Sequence, residues 1–217
     1  MLIAIDEERL NNGQPTLWAR MYDSLGLSDG AHVVHVGAGT GYYSAIHAEI
    51  VGRSGRVTAI EIDPALAATA KENLAAWPQA RVKAADGFMF CPDCPADAIL
   101  VNAGVTHLVF GLARYIGSGR RPSALAADEC RMVGLLVMIT RLNSNPDRYR
   151  ARVAGRVGVR PCVGGRDLAG EERLKTGARG DFTAIRSLRR APEEPDETCW
   201  LAGEGWWLST ASVPKPL

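Results

Sequence analysis

Val33-Val34-His35-Val36-Gly37-Ala38-Gly39-Thr40-Gly41-Tyr42-Tyr43-Ser44 runs from a β-branched stretch, through three glycines at alternate positions, into a helical pattern. A glycine carries no Cβ and adopts backbone angles closed to other residues, so such a loop lets a ligand approach the main chain. The helix that follows presents free N–H groups and a partial positive charge to whatever lies in the turn. The stretch reads as the first βα turn of a nucleotide-binding α/β unit.

Spacing decides which nucleotide. The dinucleotide fingerprint G-x-G-x-x-G puts its third glycine three residues after the second. Here that position is Tyr42, and the extra glycine is Gly41. The resulting G-x-G-x-G fits S-adenosylmethionine (SAM) better than a nicotinamide dinucleotide.

Upstream, Asn11-Asn12-Gly13-Gln14 reads as a turn and Pro15 suits the first position of a helix. The helix is predicted over Pro15–Leu25, with Leu17, Met21 and Leu25 on one face and Gly26 as its stop. Strand His32–Val36 and a helix over about Gly41–Val51 follow. Arg56–Ile60 reads as the second strand, and Glu61 ends it, where a nucleotide-binding βαβ unit places the acid that accepts from ribose hydroxyls. Asp63 competes for that role, but Asp63-Pro64 is a good cap and first-turn pair for a helix over about Pro64–Ala76. Arg81–Ala84 is predicted as a third strand, with Asp86-Gly87 in the turn leaving it; Asp86 offers an acceptor for an adenine amino group. Ala98–Val101 reads as a short buried fourth strand, and Asn102-Ala103-Gly104 follows at its carboxyl end, where ligands sit in open parallel sheets.

This β-α-β-α-β-loop-β order predicts an α/β fold, a three-layer, doubly wound, mostly parallel sheet. Beyond it the pattern weakens. Val105–Tyr115 is expected to be helical, and Gly117–Pro122 has no period of either kind. Strands are predicted at Val133–Thr140, Arg152–Val159, Thr183–Leu188 and Trp206–Thr210, with a turn at Asn143–Asp147 and a short helix at Asp167–Leu174. Without repeats or a linker, 217 residues read as one domain over 1–217. Its cofactor-binding core is expected over about 28–142, with substrate-side strands over about 150–212.

Composition narrows the class. No apolar run reaches the roughly 18 residues of a membrane span, and the acidic start (Asp6, Glu7, Glu8) does not resemble a signal peptide, so a cytoplasmic protein is expected. Five cysteines do not form a paired framework, and Cys91-Pro-Asp-Cys94 lacks the second pair of a zinc site, so no metal is expected. Residues 1–105 carry 7 Lys or Arg against 12 Asp or Glu, and residues 106–217 carry 18 against 12. The arginines of this basic half are dispersed, so a solvated surface is expected rather than a nucleic-acid face. His32, His35, His47 and His107 are read as packed or solvated, and Trp200, Trp206 and Trp207 as core.

VVHVGAGTGYYSA, RVTAIEID, AADG and ADAILVNAG together resemble the successive cofactor motifs of the protein-L-isoaspartate O-methyltransferase family, a branch of the Rossmann-like SAM-dependent methyltransferases. Gln14-Pro15 and the helix after it are similar to that family's G-Q-T-I-S-Q-P segment. The matches cover about residues 13–104. The resemblance implies a seven-stranded sheet with an antiparallel end. It implies a SAM site of Gly37, Ala38, Gly39, Thr40, Gly41, Glu61, Ile62, Asp86, Gly87 and Asn102. It also implies methyl transfer to the side-chain carboxylate of isoaspartate in a protein or peptide.

Three departures accompany the resemblance. The family's active-site serine maps onto Gly13, which leaves the catalytic residue unassigned and opens the acceptor to other peptide or small-molecule carboxylates. Only about ten residues precede that segment. Leu108–Leu125 lacks the expected turn into the fifth strand, as an insertion or a shifted reading frame would produce. Two other classes compete: a non-catalytic SAM-binding or protein-interaction module, and a nicotinamide oxidoreductase. Val101-Asn-Ala-Gly104 is similar to the N-A-G of short-chain dehydrogenases, but the chain has no Tyr-x-x-x-Lys.

Overall fold

The structure, a computed structural model, describes residues 15–87, 89–90, 93, 95–106, 122–130, 133–144, 147–158, 168–177 and 180–213. They fall into two compact units, the first reaching to Asn102 and the second beginning at Ala103.

The first unit is built as its glycines and caps dictate. Helix α1 (Pro15–Leu25) leads into strand β1 (His32–Val36), followed by α2 (Tyr42–Val51), β2 (Arg56–Glu61), α3 (Pro64–Asn73), β3 (Ala80–Ala84) and β4 (Ala98–Val105). β1 lies between β2 and β4, with β3 outside β2, and every pairing is parallel. Parallel neighbours require crossovers, which α2 and α3 supply. Asp63 caps α3 as its sequence suggests, accepting from Ala65 N at 2.8 Å and Leu66 N at 3.1 Å.

Both faces of β1 are covered: Val33 and His35 on one side, Val34 and Val36 on the other, all at 4% exposure or less. That is the mark of a strand inside a layered parallel sheet. On the His35 side, Ala59 of β2 packs with Leu74, Ala45 and Val82. α1 buries Trp18, Met21 and Leu25, so its inward stripe is led by Trp18 rather than by Leu17. The reason is Tyr43 of α2, against which Trp18 stacks with ring centroids 4.4 Å apart.

Among its described residues the second unit is an antiparallel sheet with one α-helix. Its strands are β5 (Pro122–Cys130), β6 (Val133–Ser144), β7 (Asp147–Gly158), β8 (Ser187–Arg190), β9 (Cys199–Gly203) and β10 (Trp206–Ser209), in the order β5-β6-β7-β8-β10-β9. Helix α4 (Leu168–Gly177) and a 3-10 turn (Phe182–Ala184) connect β7 to β8. Leu135 to Ile139 of β6 are all buried, together with Tyr149, Ile185, Leu188 and Trp207.

Several expectations change here. β4 runs on to Val105, four residues past its predicted end at Val101, so Asn102–Gly104 lie inside the strand and not after it. Pro122–Cys130 and Cys199–Gly203 are strands that local pattern does not reveal. β7 begins at Asp147, five residues before the predicted start. Thr183 and Ala184 belong to the 3-10 turn, and the strand after them starts at Ser187. Ten strands are present among the described residues where the resemblance implied seven. Gly13, Cys91, Cys94, His107 and the segment from Leu108 to Arg121 lie outside the described residues. Among the described residues, no helix is long and apolar enough to cross a membrane.

Candidate cofactor site

The loop after β1 is held open by its glycines and tied down by its neighbours. Gly37, Gly39 and Gly41 have φ of 78°, 56° and 91°, the left-handed region that a Cβ disfavours. Gly37 N and Ala38 N both donate to Ile60 O, at 2.9 and 3.1 Å, which fastens the loop to the end of β2. Asn73 Nδ2 donates to Thr40 O at 2.9 Å, and a Cβ on Gly41 would stand 3.2 Å from the Leu74 side chain. The loop is thus clamped between β2 and the end of α3. Asn73 is missed by sequence reasoning, because an Asn at a helix end carries no local sign of a partner 33 residues away.

Glu61 is the acid at the centre of this arrangement. The residue is 7% exposed, yet among the described residues no basic side chain pairs with its carboxylate. Instead, Oε2 accepts from Gly39 N at 2.7 Å and Oε1 from Asp63 N at 3.1 Å. A carboxylate has about four acceptor positions, so these bonds orient the group and leave capacity on each oxygen for hydroxyl donors. Ile62 beside it is 41% exposed, a large apolar side chain held in water next to a buried acid.

The turn after β3 closes on the same end of the sheet. A Cβ on Gly87 would lie 2.3 Å from Val36 Cγ1, so only glycine lets the chain pass this close to the last residue of β1. Ala85 N donates to Glu61 O at 2.9 Å, which sets Asp86 one residue from that anchor. β4 pairs with β1 as far as Val36↔Val101, and Asn102 is the first residue beyond the ladder. The structure therefore brings Gly37–Gly41, Glu61, Ile62, Asp86, Gly87 and Asn102 to one end of the parallel strands, the end where open α/β sheets take ligands.

The fit to a SAM-like group rests on two observations. Gly39 combines a positive φ with open space: a Cβ there would meet nothing within 4 Å. α2 begins at Gly41 without a side-chain cap, so no side chain competes for the N–H groups of its first turn. A backbone cradle, an oriented carboxylate and an exposed apolar side chain match the methionine, ribose and adenine parts of such a molecule.

Behind the loop, α1, α2 and β1 enclose a cluster that sequence reasoning read only as packed histidines. His35 and His47 are fully buried, with rings perpendicular and centroids 5.0 Å apart. His35 Nδ1 bonds Ser44 Oγ at 2.8 Å. Among the described residues, His35 Nε2, both His47 nitrogens and the Tyr22 and Tyr43 hydroxyls have no hydrogen-bond partner. Burial holds both histidines neutral, pushing His35 down to about 4 and His47 well below its ordinary value, the latter also through the neighbouring His35. The same burial raises Tyr43 to about 12.

Comparison with known proteins agrees with this geometry. Residues 5–120 match the protein-L-isoaspartate(D-aspartate) O-methyltransferase family. A protein-L-isoaspartate O-methyltransferase of Methylorubrum populi is 35% identical over 159 residues, 72% of this chain and 72% of that protein. One from Rhodopseudomonas palustris is 36% identical over 155 residues, 70% of this chain but only 60% of the relative's length. A solved protein-L-isoaspartate O-methyltransferase superposes with a TM-score of 0.66 at 17% identity, covering 96% of this chain and 73% of that one. A Plasmodium falciparum protein described by the same activity, in complex with S-adenosyl-L-homocysteine, gives 0.64 at 17% identity, covering 75% and 79%. These two carry the fold, and the closer relatives carry the family. The chain belongs to the protein-L-isoaspartate(D-aspartate) O-methyltransferase family, whose members are SAM-dependent methyltransferases.

Proposed function

We propose that this chain transfers a methyl group to a carboxylate, with an isoaspartyl side chain of a peptide or protein as the first acceptor to test. The observation that carries the reading is Glu61, a buried carboxylate aimed by Gly39 N and Asp63 N at the end of the parallel strands. The family membership and the S-adenosyl-L-homocysteine held by the Plasmodium protein of the same fold support the choice of cofactor.

In this reading Gly37–Gly41 cradle the methionine part, and Glu61 accepts from the ribose hydroxyls. Ile62 covers one face of the adenine, and Asp86 accepts from its amino group. Gly87 keeps the turn close to β1, and Asn102 borders the methionine side. When bound, SAM supplies a methyl on a positively charged sulfur. A carboxylate acceptor is already a nucleophile, so the protein need not supply a strong base; its work is alignment and exclusion of water.

Gly13, standing where the family serine maps, favours a second reading in which the acceptor is a different carboxylate. A hydrogen bond to the acceptor lost in the transition state costs on the order of 1–3 kcal/mol, roughly ten- to two-hundredfold in rate. Calorimetry with SAM and radiolabelled methyl transfer to an isoaspartyl peptide, run on wild type and Gly13→Ser, separate the cases. Binding with labelling by both supports the isoaspartyl reading. Labelling by the variant alone means a changed acceptor, and a folded sample that ignores millimolar SAM would sink both.

A further inference from the structure

β7 sends alternate side chains to opposite faces. Tyr149 and Ala151 are 1% exposed and face the core, whereas Arg150 and Arg152 are exposed on the other side. Ala151 N donates to Arg186 O at 3.0 Å, so the segment after the 3-10 turn brings a third arginine alongside. Arg186 is fixed there by the carbonyls of Thr183 and Ile185, to which its guanidinium donates. The three arginines and the apolar Leu142, Ile185 and Val213 line a cleft of about 380 Å³. Leu142 is itself 37% exposed.

Charge in this cleft is not balanced from within. Among the described residues the Arg150 and Arg152 guanidinium groups have no hydrogen-bond or ion-pair partner. Asp181 feels the charge of Arg186 and offsets part of it, while its Oδ1 accepts from Thr183 N and Oγ1; Arg150 and Arg152 carry the unbalanced charge. Three like charges held around one concavity repel each other and raise the local concentration of anions. Guanidinium forks match carboxylates bidentately, and the apolar residues between them suit a carbon side chain. Among the described residues no aromatic ring lines the cleft to stack a nucleobase, as single-stranded nucleic-acid sites require.

We propose that the Arg150–Arg152–Arg186 cleft binds an acidic polypeptide segment, with carboxylates on the arginines and an apolar side chain against Leu142 and Val213. The site needs neither cofactor nor turnover, so its failure and that of the methyltransferase reading are separable. The test is fluorescence anisotropy of the full chain with a short labelled peptide of alternating Glu and Leu. The same peptide with Gln for Glu, and a single-stranded oligonucleotide, serve as comparisons. The acidic peptide is expected to bind, more weakly as salt rises, and to lose at least about tenfold in affinity with Arg150→Ser/Arg152→Ser. Both side chains are exposed, so the variant's melt should match wild type. Arg150→Lys/Arg152→Lys, which keeps charge without the fork, should fall between. Equal binding of the Gln peptide, unchanged affinity in the Ser variant, tighter binding of the oligonucleotide, or no binding at millimolar peptide would each overturn the proposal.

Discussion

The two units set their functional ionisable groups in opposite surroundings. In the first, the groups that matter are buried: Glu61 at 7%, His35 and His47 at 0% exposure. In the second, they stand on the surface: Arg150, Arg152, Asp181 and Asp196 are exposed. A buried group answers to pH, because its charged form is penalised by the protein around it. An exposed one answers to salt, because counterions screen it within about 10 Å. The first unit should therefore be pH-sensitive and salt-tolerant, and the second the reverse.

The largest expected effect tests the pH half of that contrast. Above the unfolded value of about 6.5, His35 and His47 are neutral in both states, and burying them costs no proton. Below it the unfolded chain takes up protons that the folded chain refuses, so stability falls as the solution is acidified. For His35, depressed to about 4, the loss is complete near that pH and amounts to on the order of 3 kcal/mol. His47 adds to it in the same direction. Urea unfolding from about pH 7.5 down to about pH 4 measures this. His47→Phe keeps a flat ring and cannot ionise, so it should hold stability at neutral pH and flatten the acid slope. An unchanged slope would assign acid sensitivity to the carboxylates and break the contrast.

Next comes Glu61→Ala. It removes acceptors for Gly39 N and Asp63 N and, in the proposed site, for the ribose. Loss of charge-assisted bonds of about 1.5–3 kcal/mol predicts roughly ten- to hundredfold weaker SAM binding. Calorimetry at low and high salt should give the same ratio, since the group is buried; a ratio that collapses in salt would place Glu61 among the screened groups.

How much of each unit was legible follows from the same physics. In the first unit the signals are local. Asp63-Pro64 caps a helix, three glycines turn a strand into one, and Glu61 ends a β-branched run. Each element could be read within a few residues of itself. The end of β4 reads as Val101 instead of Val105 because the point where the strand stops depends on its neighbours and not on its own residues. In the second unit Pro122–Cys130 is rich in alanine, which favours helix, and has no β-branched residue. It is a strand because β6 pairs with it, from Pro122↔Thr140 onward. Cys199–Gly203 likewise becomes a strand through β10, across a turn in which Gly205 takes φ 71°. The histidine cluster was hidden for the same reason: Trp18, His35 and His47 meet only once α1 and α2 have docked on β1.

A pair of glycine substitutions sharpens the comparison further. Gly39→Ala and Gly203→Ala each add one methyl group. At Gly39 the new Cβ meets open space, and only the φ of 56° resists it, a strain of about 1–2 kcal/mol. At Gly203 it would lie 2.2 Å from Trp206 Cε2, an overpacking clash of typically about 1–3 kcal/mol. The stability losses should be similar and the binding losses should not. Gly39→Ala intrudes where the cofactor backbone cradle is proposed and should weaken SAM, whereas Gly203→Ala should leave calorimetric affinity unchanged in the folded fraction. Equal SAM affinity in both variants would remove Gly39 from the site.

The smallest expected effect belongs to Lys175. Its ammonium lies 3.2 Å from Glu171 and 2.9 Å from Glu172 on the surface of α4, and both carboxylates raise its pKa. The raised value would favour the charged form up to higher pH, so any contribution is present at neutral pH and lost only in strong alkali. Exposed pairs one turn apart nevertheless gain little, because water and salt screen them and two long side chains must be ordered. Lys175→Ala should thus melt with wild type in high salt and within error of it in low salt. A clear low-salt destabilisation that salt abolishes would mean that charges on the second unit's surface hold its fold together, in addition to offering a face to an acidic partner.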